Sequence, residues 1–443
     1  MRIVIVGAGA VGSFLAEKLS YEGQDVVVIE SDPERAAQAQ SEIDCLVING
    51  NGASVETLKK AGLSDADLLI AVSSSDAVNV LACSAGTKLN IPRKIARVED
   101  PELKAEVEAL GVDLVIDPDE AAARELLLLA SSGDIAERID FADGQLVLLG
   151  AYVDAGAPFV GRTLADLKET VVGWDWLVVA VIRHGETMIA RGSTTLEAHD
   201  HVLMMAKKDN TDQAYAWLGL SSRPAEKVIV LGGTRLAKLT ARLLAKSGIH
   251  TTLIESDMDR CRAIAEALPD VVTVCGDPTD PKVLRAEGIE SADTVMALTG
   301  WDGENVLGAL AAKALGAGEA IARFTNTDLI GLVSSVGLDA SVSSRLSAAN
   351  EILRFVRRGV IHSVFTFTDS DAEAIELEVG PNSRAVGRTL ADLKLPHSLI
   401  IGGVQRGGDA FVPRGNTTIE SGDHLIVIAL PEAIKTAEKL SGG

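Results

Sequence analysis

The stretch Gly62-Leu-Ser-Asp-Ala-Asp-Leu-Leu-Ile-Ala-Val-Ser-Ser-Ser-Asp76-Ala-Val-Asn79 recurs later in the chain as Gly288-Ile-Glu-Ser-Ala-Asp-Thr-Val-Met-Ala-Leu-Thr-Gly-Trp-Asp302-Gly-Glu-Asn305. A second, different stretch at 160–168, VGRTLADLK, recurs letter for letter at 386–394. Because two unrelated stretches recur in the same order, we interpret the chain as a tandem duplication. The duplication predicts two similar pairs of domains within one chain.

The composition restricts the possible classes of function. The 443 residues suffice for about three or four domains, and 47% of them are apolar. The net charge of −22 repels nucleic acids and anionic lipids, so we expect neither as a partner. No apolar run approaches the roughly 18 to 20 residues that span a membrane, and residues 2–6 begin a strand at once. We therefore expect a cytoplasmic protein that contacts a membrane only through a partner, without inserting into lipid.

Short apolar runs alternate with helical patterns at the start of each half. This alternation predicts a parallel sheet covered by helices on both faces. In the first half the predicted strands are Ile3–Val6, Val26–Glu30, Cys45–Ile48, Leu68–Val72, Lys94–Val98 and Leu114–Ile116, and a long apolar helix over 119–131 leaves the sheet domain to pack on a partner subunit or on the other repeat.

The end of each half has a different pattern, with period-two alternation and turn residues that predict a small α+β module. The fold class is therefore α/β, with two doubly wound parallel-sheet domains, each followed by a small α+β C-terminal subdomain. The predicted boundaries are 1–132 and 226–358 for the sheet domains, 138–209 and 368–443 for the subdomains, and 210–225 for a linker.

The first sheet domain carries a glycine motif, Gly7-Ala8-Gly9-Ala10-Val11-Gly12, between a strand and a helix. In a Rossmann-like domain the first glycine permits the tight turn, the second lets the backbone approach a pyrophosphate, and the third lets helix and strand pack closely. Glu30, at the end of the next strand, can accept hydrogen bonds from ribose hydroxyls and would repel a 2′-phosphate. The motif favours NAD(H) or an adenine nucleotide, although a glycine turn kept only for packing is the alternative.

The second copy of this motif is degenerate. Gly232 and Glu255 are kept, but Thr234 and Ala237 replace the second and third glycines. The Thr234 side chain crowds a pyrophosphate, while its hydroxyl and the neighbouring Arg235 offer contacts to phosphate. The sequence leaves open whether this copy binds a nucleotide differently or is purely structural.

Polar residues follow the fourth strand at the edge where doubly wound sheets bind ligands. Ser73 and Ser74 can contact a ribose or a phosphate, and Asp76 and Asn79 follow them. A helix cap is the alternative role for Asp76. Arg97, at the end of the fifth strand, can reach a phosphate or form an ion pair with Glu99 or Asp100.

The sequence offers no evident catalytic group beside this pocket. None of the seven histidines lies in residues 1–132, and the four cysteines form no Cys-x-x-Cys pair. We expect no catalytic residue and no metal site, and hence a protein that is not an enzyme. The alternatives are an NAD-dependent oxidoreductase, indicated by the glycine motif and Glu30, and a free-standing nucleotide or redox sensor.

The motif at residues 7–12, Glu30, the stretch 71–79 and residues 96–101 (ARVEDP) resemble the nucleotide-binding domains that regulate the conductance of potassium channels and transporters, known as RCK or KTN domains. Two such domains with their C-terminal subdomains in one chain resemble the peripheral Trk family of potassium uptake proteins, over almost the entire chain. The resemblance implies a regulatory subunit that assembles as a homo-oligomeric ring under a Trk-type membrane potassium transporter and changes shape with NAD(H), ATP or ADP. It assigns the first nucleotide to Gly7–Val11, Glu30, Ser73, Ser74 and Arg97, and the matching second-copy positions are Gly232, Glu255, Thr299 and Arg323. The chain departs from the family pattern at Asn51, Thr234 and Ala237.

Overall fold

The computed structural model describes residues 1–132, 137–153, 156–170, 175–183, 185–218, 224–326, 329–330, 336–356, 361–367, 370 and 372–442. The chain divides into two compact units. Unit 1 contains Met1–Ala122 and Ser344–Val356, and unit 2 contains Ala123–Ser343 and Arg357–Gly443. Within the described ranges, no helix combines the length and apolar character that a membrane crossing requires.

The first sheet has six parallel strands with a helix after each, as the alternating pattern predicted. Its order, numbered along the chain, is 3-2-1-4-5-6, which is that of a doubly wound sheet. Each predicted strand is present with ends that differ by at most one residue. The strands are β1 (Arg2–Val6), β2 (Asp25–Glu30), β3 (Leu46–Asn49), β4 (Leu68–Ala71), β5 (Arg93–Arg97) and β6 (Leu114–Ile116), and the helices are α1 (Ala10–Tyr21), α2 (Pro33–Glu42), α3 (Val55–Lys60), α4 (Asp76–Lys88), α5 (Pro101–Ala109) and α6 (Pro118–Ser132).

Strand β1 shows why these sequences form a buried sheet. Ile3 and Ile5 pack into a hydrophobic cluster on one face, whereas Val4 and Val6 pack into a separate cluster on the other. All four side chains are at most 2% exposed. A strand covered on both faces needs a continuous apolar run rather than an alternating one, which is what the sequence provides.

The first small domain is an antiparallel sheet in the order β10-β9-β11-β8-β7, with two α-helices among its described residues. The strand β7 was not predicted. The segment 210–225, predicted as a linker, contains the helix α8, in which Trp217 stacks on Phe159 with ring centroids 4.8 Å apart. This stacking contact attaches α8 to the small domain, although α8 lies in a segment of largely polar sequence. The elements are β7 (Glu137–Phe141), β8 (Leu146–Tyr152), α7 (Leu164–Thr170), β9 (Trp176–Arg183), β10 (Glu186–Ile189), β11 (His201–Lys207) and α8 (Thr211–Leu218).

The second half of the chain repeats both architectures. Its parallel sheet has the order β14-β13-β12-β15-β16-β17, and its antiparallel sheet has the order β18-β19-β22-β20-β21. The predicted tandem duplication is thereby confirmed. The elements are β12 (Lys227–Leu231), α9 (Arg235–Lys246), β13 (His250–Glu255), α10 (Met258–Ala267), β14 (Val272–Cys275), α11 (Pro281–Ala286), β15 (Thr294–Ala297), α12 (Asp302–Ala314), β16 (Glu319–Arg323), β17 (Ala340–Val342), α13 (Ser344–Val356), β18 (Ile361–Thr366), β19 (Glu373–Glu378), α14 (Leu390–Leu393), β20 (Leu399–Arg406), β21 (Asp409–Phe411), β22 (His424–Ala429) and α15 (Ile434–Glu438).

The two small domains contact each other within unit 2. Phe141 and Phe365 meet edge to face, with ring centroids 5.0 Å apart. The Gln145 side-chain amide donates to the Gly408 carbonyl at 2.7 Å, and its oxygen accepts from the Ala410 N–H at 3.1 Å. The two sheets share one hydrophobic cluster, so their inner faces are buried against each other.

Helix α13 packs on the first sheet domain, although it follows the last strand of the second sheet. Ile352 and Leu353 are at most 1% exposed and join the cluster that contains Ile3 and Leu15. The Ser344 hydroxyl and the Asp119 carboxylate form a 2.9 Å hydrogen bond. Helix α6 begins in unit 1, and its residues from Ala123 belong to unit 2. For the helix predicted over 119–131, which is part of α6, the hydrogen bond of Asp119 to Ser344 is a contact with the other repeat, one of its two predicted alternatives.

Candidate functional site

The first glycine loop joins β1 to α1 at the edge where the strands end. Gly7 has φ of +104°, and a Cβ there would lie 2.8 Å from the Ser73 Cα. A Cβ on Gly12 would lie 1.9 Å from the Gly7 carbonyl oxygen, so α1 packs on the loop only because residue 12 has no side chain. A Cβ on Gly9 would meet nothing within 4 Å. The loop therefore leaves open space at Gly9, where the helix N-terminus presents free N–H groups.

Glu30 stands at the end of β2 and fixes this loop. Its Oε2 accepts from the Ala8 N–H at 2.7 Å, and its Oε1 accepts from the Asp32 N–H at 2.9 Å and the Ser31 hydroxyl at 3.2 Å. Burial raises the pKa of Glu30, but the backbone hydrogen bonds from Asp32 and Ala8 outweigh it and lower the pKa. The group is ionised at neutral pH, and Oε2, which accepts from Ala8 alone, keeps a second acceptor site for a ribose hydroxyl.

The turn after β4 is organised by Asn79. This side chain is completely buried, and its oxygen accepts from the Ser73 N–H at 2.9 Å and the Ser73 hydroxyl at 2.8 Å. Its nitrogen donates to the carbonyl oxygens of Ser73 and Arg97. Asn79 thus joins the ends of β4 and β5 through its hydrogen bonds, and Ser74 and Ser75 are the exposed residues of the turn.

Asp76 and Arg97 act at the neighbouring edge. The Asp76 carboxylate accepts from the N–H groups of Glu99 and Asp100 at 3.0 and 2.9 Å, which fixes the loop after β5. Arg97 forms an ion pair with Glu99, one of the two roles the sequence left open for it. The structure therefore gives Asp76, Asn79 and Arg97 contacts that shape the edge of the pocket. Asn51, two residues after β3, accepts from the Ala53 N–H in a local turn.

The second copy keeps the same loop and opens into a cavity of about 720 Å³. Gly232 has φ of +98°, and a Cβ there would lie 2.9 Å from the Thr299 Cα. Glu255 accepts from the Gly233 N–H at 2.7 Å and the Asp257 N–H at 2.8 Å, as Glu30 does in the first copy. The residues lining the cavity are 232–235, 238, 255, 256, 260, 263, 264, 267, 278, 299–301 and 304.

Thr234 and Arg235 alter the chemistry of this cavity. The Thr234 hydroxyl donates to the Leu298 carbonyl at 2.7 Å and accepts from the Ala237 N–H at 3.2 Å, so it caps α9. Arg235 lies at the cavity wall, where the first copy has Ala10. Ala237 is a fully buried residue of α9, and Arg323 ends β16.

Several lining residues were missed by the reasoning from sequence, among them Lys238, Arg260 and Trp301. Lys238 follows Arg235 by three positions on α9, and that helical spacing puts both on one face. Trp301 is 77% exposed at the start of α12, where the first copy has Ser75. A position-by-position alignment of the two copies would have identified Lys238 and Trp301 as differences within one pocket, since the first copy has Ser13 and Ser75 there, whereas Arg260 matches Arg35.

These elements define a Rossmann-type protein built in duplicate, in which each parallel-sheet domain is joined to a small α+β domain. Residues 3–118 and 228–344 match the TrkA-N domain, and residues 148–219 and 374–442 match the TrkA-C domain. The chain belongs to the TrkA family of Trk system potassium uptake proteins.

Similar proteins match along the full length of the chain. The Trk system potassium uptake protein TrkA homolog of Archaeoglobus fulgidus is 35% identical over 447 residues, which cover 99% of this chain and 100% of that protein. Trk system potassium uptake protein TrkA of Azorhizobium caulinodans is 32% identical over 450 residues, with 99% and 98% covered. A structure of the GsuK channel bound to NAD matches with a TM-score of 0.61 at 20% identity, over 100% of this chain and 79% of that one. At this identity the GsuK match supports the fold alone.

Proposed function

We propose that this chain is the nucleotide-binding regulatory subunit of a membrane potassium uptake system. It works on the cytoplasmic face of the membrane, attached through a Trk-type transporter subunit, and several copies form a ring. Family membership supports the link to potassium uptake. The net charge of −22 argues against direct binding to anionic lipid and favours a protein partner.

The observation that carries the nucleotide part of the proposal is the open space at Gly9. Residues 7 and 12 must be glycine because a Cβ there would lie only 2.8 Å and 1.9 Å from neighbouring backbone atoms. A Cβ at Gly9 would have nothing within 4 Å. Packing therefore explains two of the three glycines, and the third is explained by a ligand phosphate that approaches the backbone. The Glu30 carboxylate lies beside the same loop and is suited to a ribose.

The ligands we propose are NAD(H) and adenine nucleotides, acting as effectors rather than as substrates. In the first pocket the residues offered to the ligand are Gly7–Val11, Glu30, Ser73 and Ser74. Asn79 and Asp76 support this edge through backbone contacts.

The proposal that the chain does not catalyse a reaction of the nucleotide is tested by incubating it with NAD⁺ and a panel of hydroxy and amino acids. Formation of NADH would contradict it.

Regulation requires that the nucleotide bind one shape of the ring more tightly than another. A coupling free energy of about 1 to 3 kcal/mol would change the open fraction of the gate about 5- to 150-fold. We infer that helix α13 is part of the moving element, since it follows the second sheet along the chain and packs in unit 1.

The experiment is co-purification of the chain with the membrane transporter subunit, followed by measurement of potassium flux in vesicles. We expect flux to change when NADH or ATP is added, and to lose that response when the chain is omitted. The control is a chain with Gly9 replaced by a bulky residue, which should bind the transporter but respond weakly to NADH. Flux that is indifferent to the chain would refute the proposal.

A further inference from the structure

We propose that the two pockets take different classes of nucleotide: the first a dinucleotide such as NAD(H), the second a nucleoside diphosphate or triphosphate held by its terminal phosphates. This inference rests on the proposed function and goes beyond it by assigning a ligand class to each pocket. It starts from a comparison of equivalent positions in the two copies.

The second pocket carries more positive charge than the first. Arg235, Lys238 and Arg260 line its cavity, together with the carboxylates of Glu255 and Glu304. The equivalent positions of the first copy, in the same order, are Ala10, Ser13, Arg35, Glu30 and Val78. The second copy has thus gained two cations at the helix N-terminus and one carboxylate, Glu304, so this set of residues is more positive by one charge in a chain whose net charge is −22.

The two copies also differ in charge at the end of the fifth strand of each parallel sheet. In the first copy Arg97 is paired with Glu99. In the second copy the equivalent arginine is Arg323, and Thr325 takes the place of the acid. Within the part of the chain that the structure describes, the buried Nε of Arg323 has no hydrogen-bond partner. The acid that pairs with the arginine in the first copy is therefore absent here, and Arg323 interacts electrostatically with Asp302 instead.

The space available to a ligand beside the glycine loop also differs between the two pockets. The space that is open at Gly9 is taken in the second copy by the side chain of Thr234. Its hydroxyl is engaged with the Leu298 carbonyl and the Ala237 N–H, which leaves the methyl group and Cβ near the path of a bridging pyrophosphate. The Thr234 side chain therefore hinders the close approach of a pyrophosphate to the backbone, which the binding of a dinucleotide requires.

A terminal phosphate suits these residues better than a bridging one. It carries about −1.5 to −2 charges and three acceptor oxygens, which can meet Arg235 and Lys238 together. A 2′-phosphate on the ribose is excluded by the Glu255 carboxylate, which lies where that phosphate would go. The chemistry of the cavity therefore selects a nucleoside polyphosphate over both NAD(H) and its phosphorylated form.

The test exchanges residues between the pockets of the full chain and titrates ADP and NADH by calorimetry. In Arg235→Ala/Lys238→Ser the second pocket receives the residues of the first. ADP affinity should fall about tenfold or more through lost charge-assisted contacts, and NADH affinity should not change. Gly9→Thr should weaken NADH about tenfold and spare the ADP site. Lys246→Ser, which removes a charge from the far end of α9, is the control and should alter neither.

The outcomes separate this inference from the proposed function. If the unaltered chain binds neither ADP nor NADH, the proposed function itself fails. If both bind, but the double variant keeps full ADP affinity or Gly9→Thr weakens both ligands equally, the division between the pockets is wrong. The fluorescence of Trp301, compared with a Trp301→Phe chain, gives a second readout, because ADP in the second pocket should change it and NADH in the first should not.

Discussion

Replacing Glu30 by alanine tests how the first pocket is held together. The side chain is only 8% exposed, and its carboxylate accepts from the N–H groups of Ala8 and Asp32. Alanine removes both acceptors at once. The Ala8 N–H lies in a partly buried loop, so water replaces the lost contact less well there than at Asp32.

The expected size of the effect follows from these contacts. Hydrogen bonds to charged groups contribute about 1.5 to 3 kcal/mol each, and solvent compensates part of the loss at Asp32. We therefore expect Glu30→Ala to lower the free energy of unfolding of unit 1 by about 2 kcal/mol. NADH affinity should fall by at least tenfold, because the ribose contact and the loop geometry are lost together.

The assay combines thermal unfolding with NADH titration, and Glu255→Ala is the matched control. Glu255 makes the equivalent contacts to Gly233 and Asp257, so its loss should destabilise unit 2 similarly while leaving NADH binding intact. A Glu30→Ala chain with unchanged stability and unchanged NADH affinity would refute this account of the loop.

The same carboxylate predicts a pH dependence. Because the pKa of Glu30 is lowered in the folded protein, its contribution to stability is complete above the unfolded value of about 4.3. It is lost as the pH falls through the lower folded pKa. Glu30→Gln should abolish this part of the acid dependence, as seen in unfolding curves recorded between neutral and acidic pH. If Glu30→Gln and the unaltered chain lose stability identically as the pH falls, Glu30 is not the group responsible for this part of the pH dependence.

Three further predictions concern packing and reactivity. Gly12→Ala places a Cβ 1.9 Å from the Gly7 carbonyl oxygen, so it should destabilise unit 1 by about 1 to 3 kcal/mol in thermal melts. Ile352→Ala leaves a cavity at a fully buried site on α13 and should cost about 2 to 5 kcal/mol, measured by denaturant unfolding. Burial raises the pKa of the Cys83 thiol to about 12, so thiol reagents should modify the exposed Cys275 well before Cys83 in the folded chain, as mass spectrometry would show.

Much of the fold could be predicted from the sequence because its signals are local. The apolar run of β1 and the glycines after it define a strand, a tight turn and a helix without reference to distant residues. The duplication then supplied the same architecture for the second half. Strand β7 and helix α8 were missed, since α8 is held by the stacking of Trp217 on Phe159, a contact between residues far apart in sequence.

The candidate site was predicted in outline and not in detail. The sequence indicated Glu30 as a ribose contact, but not that the same carboxylate fastens the glycine loop through Ala8. Asn79 was expected near the ligand, whereas its complete burial shows that it braces the backbone. Such roles depend on which way a side chain turns, and local sequence patterns carry no information on that.

The position of α13 bears on how this protein could have arisen. Residues 1–122 bury part of their core only against a helix encoded more than two hundred residues later. A gene truncated after its first half would yield a polypeptide with a bare, aggregation-prone face. A separate first half would have to bury that face against the same helix of a second molecule, whereas here one polypeptide supplies both the face and the helix.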